Sequence, residues 1–350
     1  MATQLELEKI PVTILTGFLG SGKTTALSHL IRQPAMANAA VIINEFGEIS
    51  LDHELIEKID GDVIEIQGGC LCCTVRGDLI EALHNLLLKR SKGEIKAFDR
   101  VVLETTGLAD PAPILHTLMS DPLAFNKFRL DGLISTVDAV NGLATLDAHA
   151  EAVKQAVMAD RILLTKCDLI EHGARVGLET RLLKLNPGQV IIPVDHGRVD
   201  PTLILDLGPF TTSTKSADVD AWLRTESYAS NHAHDHDHHH DHGVDVNRHD
   251  ALVRAFSFMV DQPIPQAKLQ FFLQLLGMMR GPDLLRVKGI VHVAERPGQP
   301  AVVHGVQHIF HPLTWLQAWP SAERRSRFVF IVRDIEPNQI HDLMASLIAT

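Results

Sequence analysis

Two kinds of hydrophobic pattern alternate between Pro11 and Pro209. Short runs that are apolar at nearly every position predict strands at Val12–Thr16, Ala39–Asn44, Asp62–Ile66, Arg100–Glu104, Gly132–Val137, Arg161–Thr165 and Val190–Val194. Their Val and Ile content and their lack of polar alternation suit strands covered on both faces. The stretches between them repeat with helical spacing. Arg76–Arg90, for example, puts Leu79, Ile80, Leu83, Leu86 and Leu87 on one face. Strand and helix alternating in this way predict an α/β fold with a doubly wound, mostly parallel sheet.

The pattern fails over residues 211–250, where Thr, Ser, Asp and His dominate and few apolar residues follow Leu223. A segment of that composition cannot bury enough apolar surface to offset the entropy of ordering, so it reads as a His/Asp-rich flexible linker. Regular patterning returns with predicted strands at Ala251–Val260, Leu285–Ala294, Ala301–Phe310 and Arg327–Arg333. Predicted helices at Gln266–Arg280, with Leu269, Phe272, Leu273 and Leu276 inward, and at Asn338–Ala349 complete a β-α-β-β-β-α order. The expected organisation is a larger α/β domain over 1–210, the linker over 211–250 and a smaller α+β domain over 251–350.

The 350 residues carry 32 basic and 43 acidic side chains, a formal charge of -11. That balance argues against nucleic acid as a partner and against a polybasic membrane-surface mode. Aromatic residues make up 5%, with a single Tyr, too few for a base-stacking platform. Met1–Ile10 has no signal-like apolar core, and no apolar run approaches the ~20 residues of a bilayer span, so the expected location is cytoplasmic. Three of the four Cys crowd together at Cys70, Cys72 and Cys73, with Cys167 apart, which points to metal or redox chemistry and not to a disulfide scaffold.

The most specific motif is Gly17-Phe18-Leu19-Gly20-Ser21-Gly22-Lys23-Thr24, a G-x-x-x-x-G-K-[ST] phosphate loop. It follows a predicted strand and opens a helix whose buried face is Ala26, Leu27, Leu30 and Ile31. Gly17, Gly20 and Gly22 let backbone N–H groups turn toward phosphate oxygens, and the helix N-terminus favours an anion. Lys23 is placed to reach the β- and γ-phosphates, and the Thr24 hydroxyl to ligate Mg²⁺. A strand ending in Glu104, followed by Thr105-Thr106-Gly107, supplies a carboxylate for Mg²⁺ or its water and a Gly107 N–H for the γ-phosphate. Thr165-Lys166-Cys167-Asp168 ends a third strand. The Asp168 carboxylate can accept the paired N–H donors of guanine while the Lys166 stem covers the base. Guanine sites usually carry N-K-x-D here, and this chain has Thr165 in place of Asn. Set against this is a plain strand end with solvated charges.

Gly68-Gly69-Cys70-Leu71-Cys72-Cys73-Thr74 precedes a helix N-terminus, which stabilises thiolate. Three thiols in so short a span do not make a closed Cys₄ site. They offer soft ligands with a position left open, which suits a transition metal that is handed on. Buried cysteines, a redox pair and a structural zinc clip are the alternatives. Asn44–Glu48 sits where a nucleotide-sensing segment belongs: Glu48 can complete the metal's ligand set, or Glu45 can face Mg²⁺ or water. Eight of the 20 His lie in 232–249, interleaved with Asp. His234, His236, His238 and His240 alternate there and offer interchangeable imidazole ligands for loading or buffering metal; the alternative is a solvated linker with incidental affinity.

Together these residues resemble the CobW-type P-loop GTPases, a metallochaperone family related to the GTPases that insert nickel into urease and hydrogenase. The resemblance runs over almost the whole chain and rests on G-F-L-G-S-G-K-T-T (Gly17–Thr25), N-E-F-G-E (Asn44–Glu48), G-G-C-L-C-C-T (Gly68–Thr74), E-T-T-G-L-A-D-P (Glu104–Pro111) and T-K-C-D (Thr165–Asp168). The last of these is similar to the bacterial YjiA-like branch. The resemblance implies slow GTP hydrolysis with Mg²⁺, binding of Zn²⁺ or Co²⁺ at C-x-C-C, and delivery of the metal to a client metalloenzyme. By position it implies that Gly17, Gly20, Ser21, Gly22, Lys23, Thr24 and Thr25 hold the phosphates and Mg²⁺, and that Lys166 and Asp168 hold guanine. It also implies that Cys70, Cys72 and Cys73 bind metal, with Glu48 as carboxylate ligand. Some members carry an acidic residue where this chain has Ile43. A nucleotide-dependent homodimer fits the same scheme. Two other readings remain at this point: a metal buffer built on the His run, and a P-loop NTPase with a structural zinc clip.

Overall fold

The computed structural model describes residues 8–45, 63–67, 74–207 and 253–349. These fall into two compact units, one from the N-terminal part through residue 207 without 181–188, and one from residue 253 onward together with 181–188. The first unit is a seven-stranded sheet in which every pair of neighbours is parallel. Its strands are β1 (Ile10–Gly17), β2 (Ala39–Glu45), β3 (Val63–Gln67), β4 (Arg100–Glu104), β5 (Phe128–Asp138), β6 (Arg161–Thr165) and β7 (Val190–Pro193), in the order β3-β2-β4-β1-β5-β6-β7. The helices between them are α1 (Lys23–Leu30), α2 (Thr74–Lys92), α3 (Pro111–Ser120), α4 (Pro122–Lys127), α5 (Gly142–Ala148), α6 (Ala150–Met158) and α7 (His172–Leu185). This is the α/β architecture expected from the alternating pattern. β1 lies at the centre, in register with both flanks: Leu15 is opposite Glu104 on β4 and Ile134 on β5. Three strand ends that carry chemistry are therefore neighbours by topology, at the carboxyl edge where open α/β sheets take their ligands.

β5 is longer than its sequence pattern, beginning at Phe128 and not at Gly132. Arg129 and Asp131 interrupt the apolar run, yet both are buried. The structure compensates Asp131 with Arg129 and Arg100, each at 3.5 Å, with the Thr13 hydroxyl at 3.1 Å and with the Asp206 N–H at 2.9 Å. Burial still pushes its carboxyl above the ordinary carboxylate range, against the pull of Arg129.

The second unit is an antiparallel sheet of β8 (Val253–Val260), β9 (Leu284–Val291), β10 (Ala301–Val306), β11 (Ile309–Phe310), β12 (Thr314–Trp315) and β13 (Ser326–Arg333). Helices α8 (Gln266–Arg280) and α9 (Pro337–Ala349) pack against it, and Phe256, Phe272, Phe328, Phe330, Ile340 and Met344 share the core. The single strand expected over Ala301–Phe310 is a hairpin. β10 turns at Gln307, which takes φ 53°, and returns as β11 with Val306 opposite Ile309. The turn hides in the sequence because its own two residues, Gln307 and His308, include no Gly, Pro or Asn. Gly305 is the telling residue, since a Cβ there would lie 2.5 Å from the Phe310 ring. Among the described residues no helix is long and apolar enough to cross a membrane.

Candidate functional site

The phosphate loop leaves β1 at Gly17 and enters α1 at Lys23. Gly17 has φ +143°, and a Cβ on it would sit 2.2 Å from Thr136 Oγ1 and 2.5 Å from the Thr136 carbonyl, so β5 admits only glycine there. Gly22, the residue before α1, has φ +88°. Ser21 is buried, with its hydroxyl 2.6 Å from Thr136 Oγ1. The Lys23 ammonium curls back over the loop and donates to the carbonyls of Gly17 at 3.0 Å and Phe18 at 3.1 Å. Thr25 is exposed and lies against the turn at Gly197.

The Thr24 hydroxyl donates to Glu104 Oε1 at 2.9 Å, across 80 residues of sequence. Glu104 is buried at the end of β4, brought there by the pairing of β4 with β1. A hydroxyl and a carboxylate are hard oxygen donors of the type Mg²⁺ takes, so the pair fits that ion. Beyond Glu104, Thr105 donates to Thr16 Oγ1 at 2.9 Å and its N–H to the Leu15 carbonyl at 3.0 Å. Gly107 seats directly on the phosphate loop: a Cβ there would lie 2.6 Å from Leu19 Cδ2 and 2.7 Å from Leu19 N.

β6 adds the third part. The Thr165 hydroxyl donates to the Ser21 carbonyl at 2.7 Å and the Val137 carbonyl at 3.2 Å, tying β6 to the phosphate loop and to β5. Lys166 has φ +58° and places its ammonium 2.7 Å from Asp138 Oδ2. Asp168 lies in the short turn Cys167–Leu169, partly exposed, with His196 Nδ1 at 3.8 Å. The Cys167 thiol points back to the Leu164 carbonyl at 3.1 Å, and burial raises its pKa, so it is a poor thiolate. Asp138, which the sequence reading passed over, accepts from Lys166, the Asn141 amide and the Val140 N–H. Burial works to raise its pKa, but these hydrogen bonds outweigh it and hold the carboxyl below the ordinary range. Its signal was a strand-end carboxylate in Val137-Asp138-Ala139, the same signal that marked Glu104.

Lys23, Thr24, Glu104 and Gly107 thus gather around one loop, with Thr165 and Lys166 on its β6 side. Behind the loop a cavity of about 300 Å³ is lined by Phe18, Ser21, Ser135, Asp138, Gln155 and Lys166, among others. Glu48, Cys70, Cys72, Cys73, His234, His236, His238 and His240 lie outside the described residues. Among the described residues no group of three or more His, Cys, Asp or Glu is placed to hold a metal.

The family model for the nucleotide-binding domain of CobW/HypB/UreG matches residues 11–193. The one for the cobalamin synthesis protein cobW C-terminal domain matches residues 253–348. The zinc chaperone YjiA of Escherichia coli is 32% identical over 97% of this chain and 99% of its own length. The zinc-regulated GTPase metalloprotein activator 1 of Schizosaccharomyces pombe is 30% identical over 95% of this chain and 82% of its own. The crystal structure of Zn(II)-bound YjiA GTPase from E. coli superposes with a TM-score of 0.68 at 29% identity, covering 97% of this chain and 99% of that one.

Proposed function

The chain belongs to the CobW/HypB/UreG family, and from that premise we propose that it is a GTPase metallochaperone. In this reading it hydrolyses GTP at the Gly17–Thr24 loop, takes up zinc at Cys70, Cys72 and Cys73, and passes the metal to a client metalloenzyme according to nucleotide state. The observation that carries the reading is the meeting of Thr24 with Glu104 beside Lys23. A phosphate loop that also brings a strand-end carboxylate to its hydroxyl has the parts of a metal-assisted phosphoryl-transfer site.

The residues divide the work. Lys23 exchanges its two carbonyl partners for phosphate oxygens. Thr24 and Glu104 hold Mg²⁺, which when bound neutralises charge on the β- and γ-phosphates. Gly107 offers its N–H to the γ-phosphate and shifts when that group leaves, as γ-phosphate switches do. Asp168 accepts the two guanine N–H donors, which adenine lacks, and Lys166 lies along the base with its head held by Asp138. Zinc is cargo, and the names of relatives aligned over nearly the whole chain support it as the metal.

The test is Zn²⁺ affinity by competition with a chromophoric chelator, measured with a GTP analogue plus Mg²⁺, with GDP and without nucleotide. A nucleotide-dependent affinity that disappears in Cys72→Ala is the expected result. One affinity in all three states overturns the coupling and favours a buffer or a structural clip.

A further inference from the structure

The helix α6 carries a residue that breaks its own pattern. Ala152, Val153, Ala156, Val157 and Met158 are buried and apolar, yet Gln155 is buried among them at 1% exposure. A buried primary amide costs stability unless it is hydrogen-bonded. Here the Gln155 Nε2 donates to the Gly107 carbonyl at 3.1 Å and to the Ala109 carbonyl at 2.9 Å. Both carbonyls belong to the loop that follows Glu104 and that seats Gly107 on Leu19 of the phosphate loop. The neighbouring Lys154 holds the same loop from outside, with its ammonium 2.5 Å from Asp110 Oδ2. At the start of α6, the His149 ring stacks on Phe18 of the phosphate loop, with centroids 4.4 Å apart.

We propose that Gln155 is a positioning residue for GTP recognition: its side-chain amide holds the Gly107 and Ala109 carbonyls, fixes Gly107 against the phosphate loop and so sets how strongly the site prefers a γ-phosphate. The inference rests on the reading of Glu104–Gly107 as the loop that meets that phosphate. The chemistry requires glutamine's two donors on one nitrogen. Methionine has the same reach and no donor, and glutamate would turn a carboxylate toward two carbonyls. GDP has no γ-phosphate to meet Gly107, so loosening this loop acts on GTP and spares GDP. A residue that only packed α6 would affect both nucleotides alike.

The test compares wild type with Gln155→Met on affinity for GDP and for a non-hydrolysable GTP analogue, both with Mg²⁺, on single-turnover GTP hydrolysis and on Tm. The expected result is about a tenfold loss of analogue affinity, the free-energy scale of one or two hydrogen bonds, with GDP affinity within about twofold of wild type and slower hydrolysis. Equal losses for both nucleotides, or no loss for either, overturn the proposal. Should Gln155→Met fail to fold, Lys154→Met loosens the same loop from the surface. A smaller selective loss for the analogue then supports the inference, and a non-selective one or none overturns it. Wild-type protein that binds the analogue and GDP alike would instead sink the γ-phosphate reading of Gly107, and this inference with it. Discrimination retained in Gln155→Met sinks only the role of Gln155.

Discussion

Where the parallel sheet ends, its strands bury Thr16, Glu104, Thr136, Asp138 and Thr165. The antiparallel sheet fills its interior with Phe256, Phe328 and Phe330, stacked at centroid distances of 5.5 to 6.1 Å, and with Phe272 from α8 set edge-on to Phe328. The two interiors are specified differently. Apolar rings need only the right volume and tolerate one another in several geometries. Buried hydroxyls and carboxylates each need a partner, and here the partners come from other elements: Glu104 takes Thr24, Ser21 meets Thr136 and Thr165, and Asp138 takes Lys166. The first unit therefore fixes the position of a loop through polar pairs, while the second holds itself together by packing. Removing a ring from the second should cost folding free energy, and removing a polar group from the first should cost chemistry.

The largest effect is expected in the aromatic core. Phe328 is fully buried and meets Phe258 at 5.3 Å and Phe272 at 6.4 Å. Phe328→Ala should lose ~3–5 kcal/mol in denaturant unfolding, the usual range for a core phenylalanine. A loss under ~1 kcal/mol would mean that this sheet can collapse around the gap, and the contrast between the two interiors would weaken. The matching change in the parallel unit is Lys23→Ala. It should lower GTP hydrolysis by about a hundredfold in a phosphate-release assay, the scale of losing one preorganised group at a developing charge. A drop in stability as large as that of Phe328→Ala, with turnover intact, would reverse the assignment of roles.

Asp168→Asn comes next. It exchanges a carboxylate acceptor for an amide, and the preference for GTP over ATP should fall by about tenfold in competition binding. An unchanged preference would place guanine recognition elsewhere. Thr165→Ala removes the hydroxyl that ties β6 to the Ser21 carbonyl. Stability should fall by ~1 kcal/mol, the cost of one buried hydrogen bond, with GTP affinity reduced only a few-fold. An effect on affinity as large as that of Asp168→Asn would make Thr165 a direct contact to the base.

How much of this was legible in the sequence follows the same contrast. The phosphate loop could be read in full because its geometry needs particular residue types at fixed spacing, and at Gly17 a Cβ would lie only 2.2 Å from Thr136 Oγ1. Most strands were legible because both faces are covered. The start of β5 was not, since Arg129 and Asp131 look like surface charges until Arg100 and Thr13 arrive from other elements. The turn at Gln307 was hidden because neither Gln307 nor His308 is a turn-marking residue and apolar residues flank them on both sides. Thr165 read as a gap in a guanine motif; its tie to Ser21 spans 144 residues and has no local signal. Asp138 had a local signal, the strand-end carboxylate, but its role depends on Lys166 and Asn141, which only the fold brings near. Polar pairing between distant strands is the part of the site that a single sequence does not display.

Asp138 also supplies the smallest expected effect and a direct measure of such pairing. Hydrogen bonds from Lys166, Asn141 and Val140 overcome the burial that would raise its pKa, and hold the folded-state value below the ordinary one. An unfolded Asp titrates near pH ~4. The ionised carboxylate is thus favoured by folding, and its contribution is fully present above that pH. It is lost as pH falls through the lower, folded-state value, because protonation removes an acceptor that the Lys166 ammonium needs. The contribution should be below ~1 kcal/mol, since the Lys166 head is partly exposed. Unfolding free energies of wild type and Asp138→Asn, measured from pH 6 down to 3, should therefore differ by a roughly constant amount above pH ~4 and converge below it. A gap that widens on acidification would mean that burial, and not the hydrogen bonds, dominates at the end of β5. The polar pairs of the parallel sheet would then cost stability instead of contributing it.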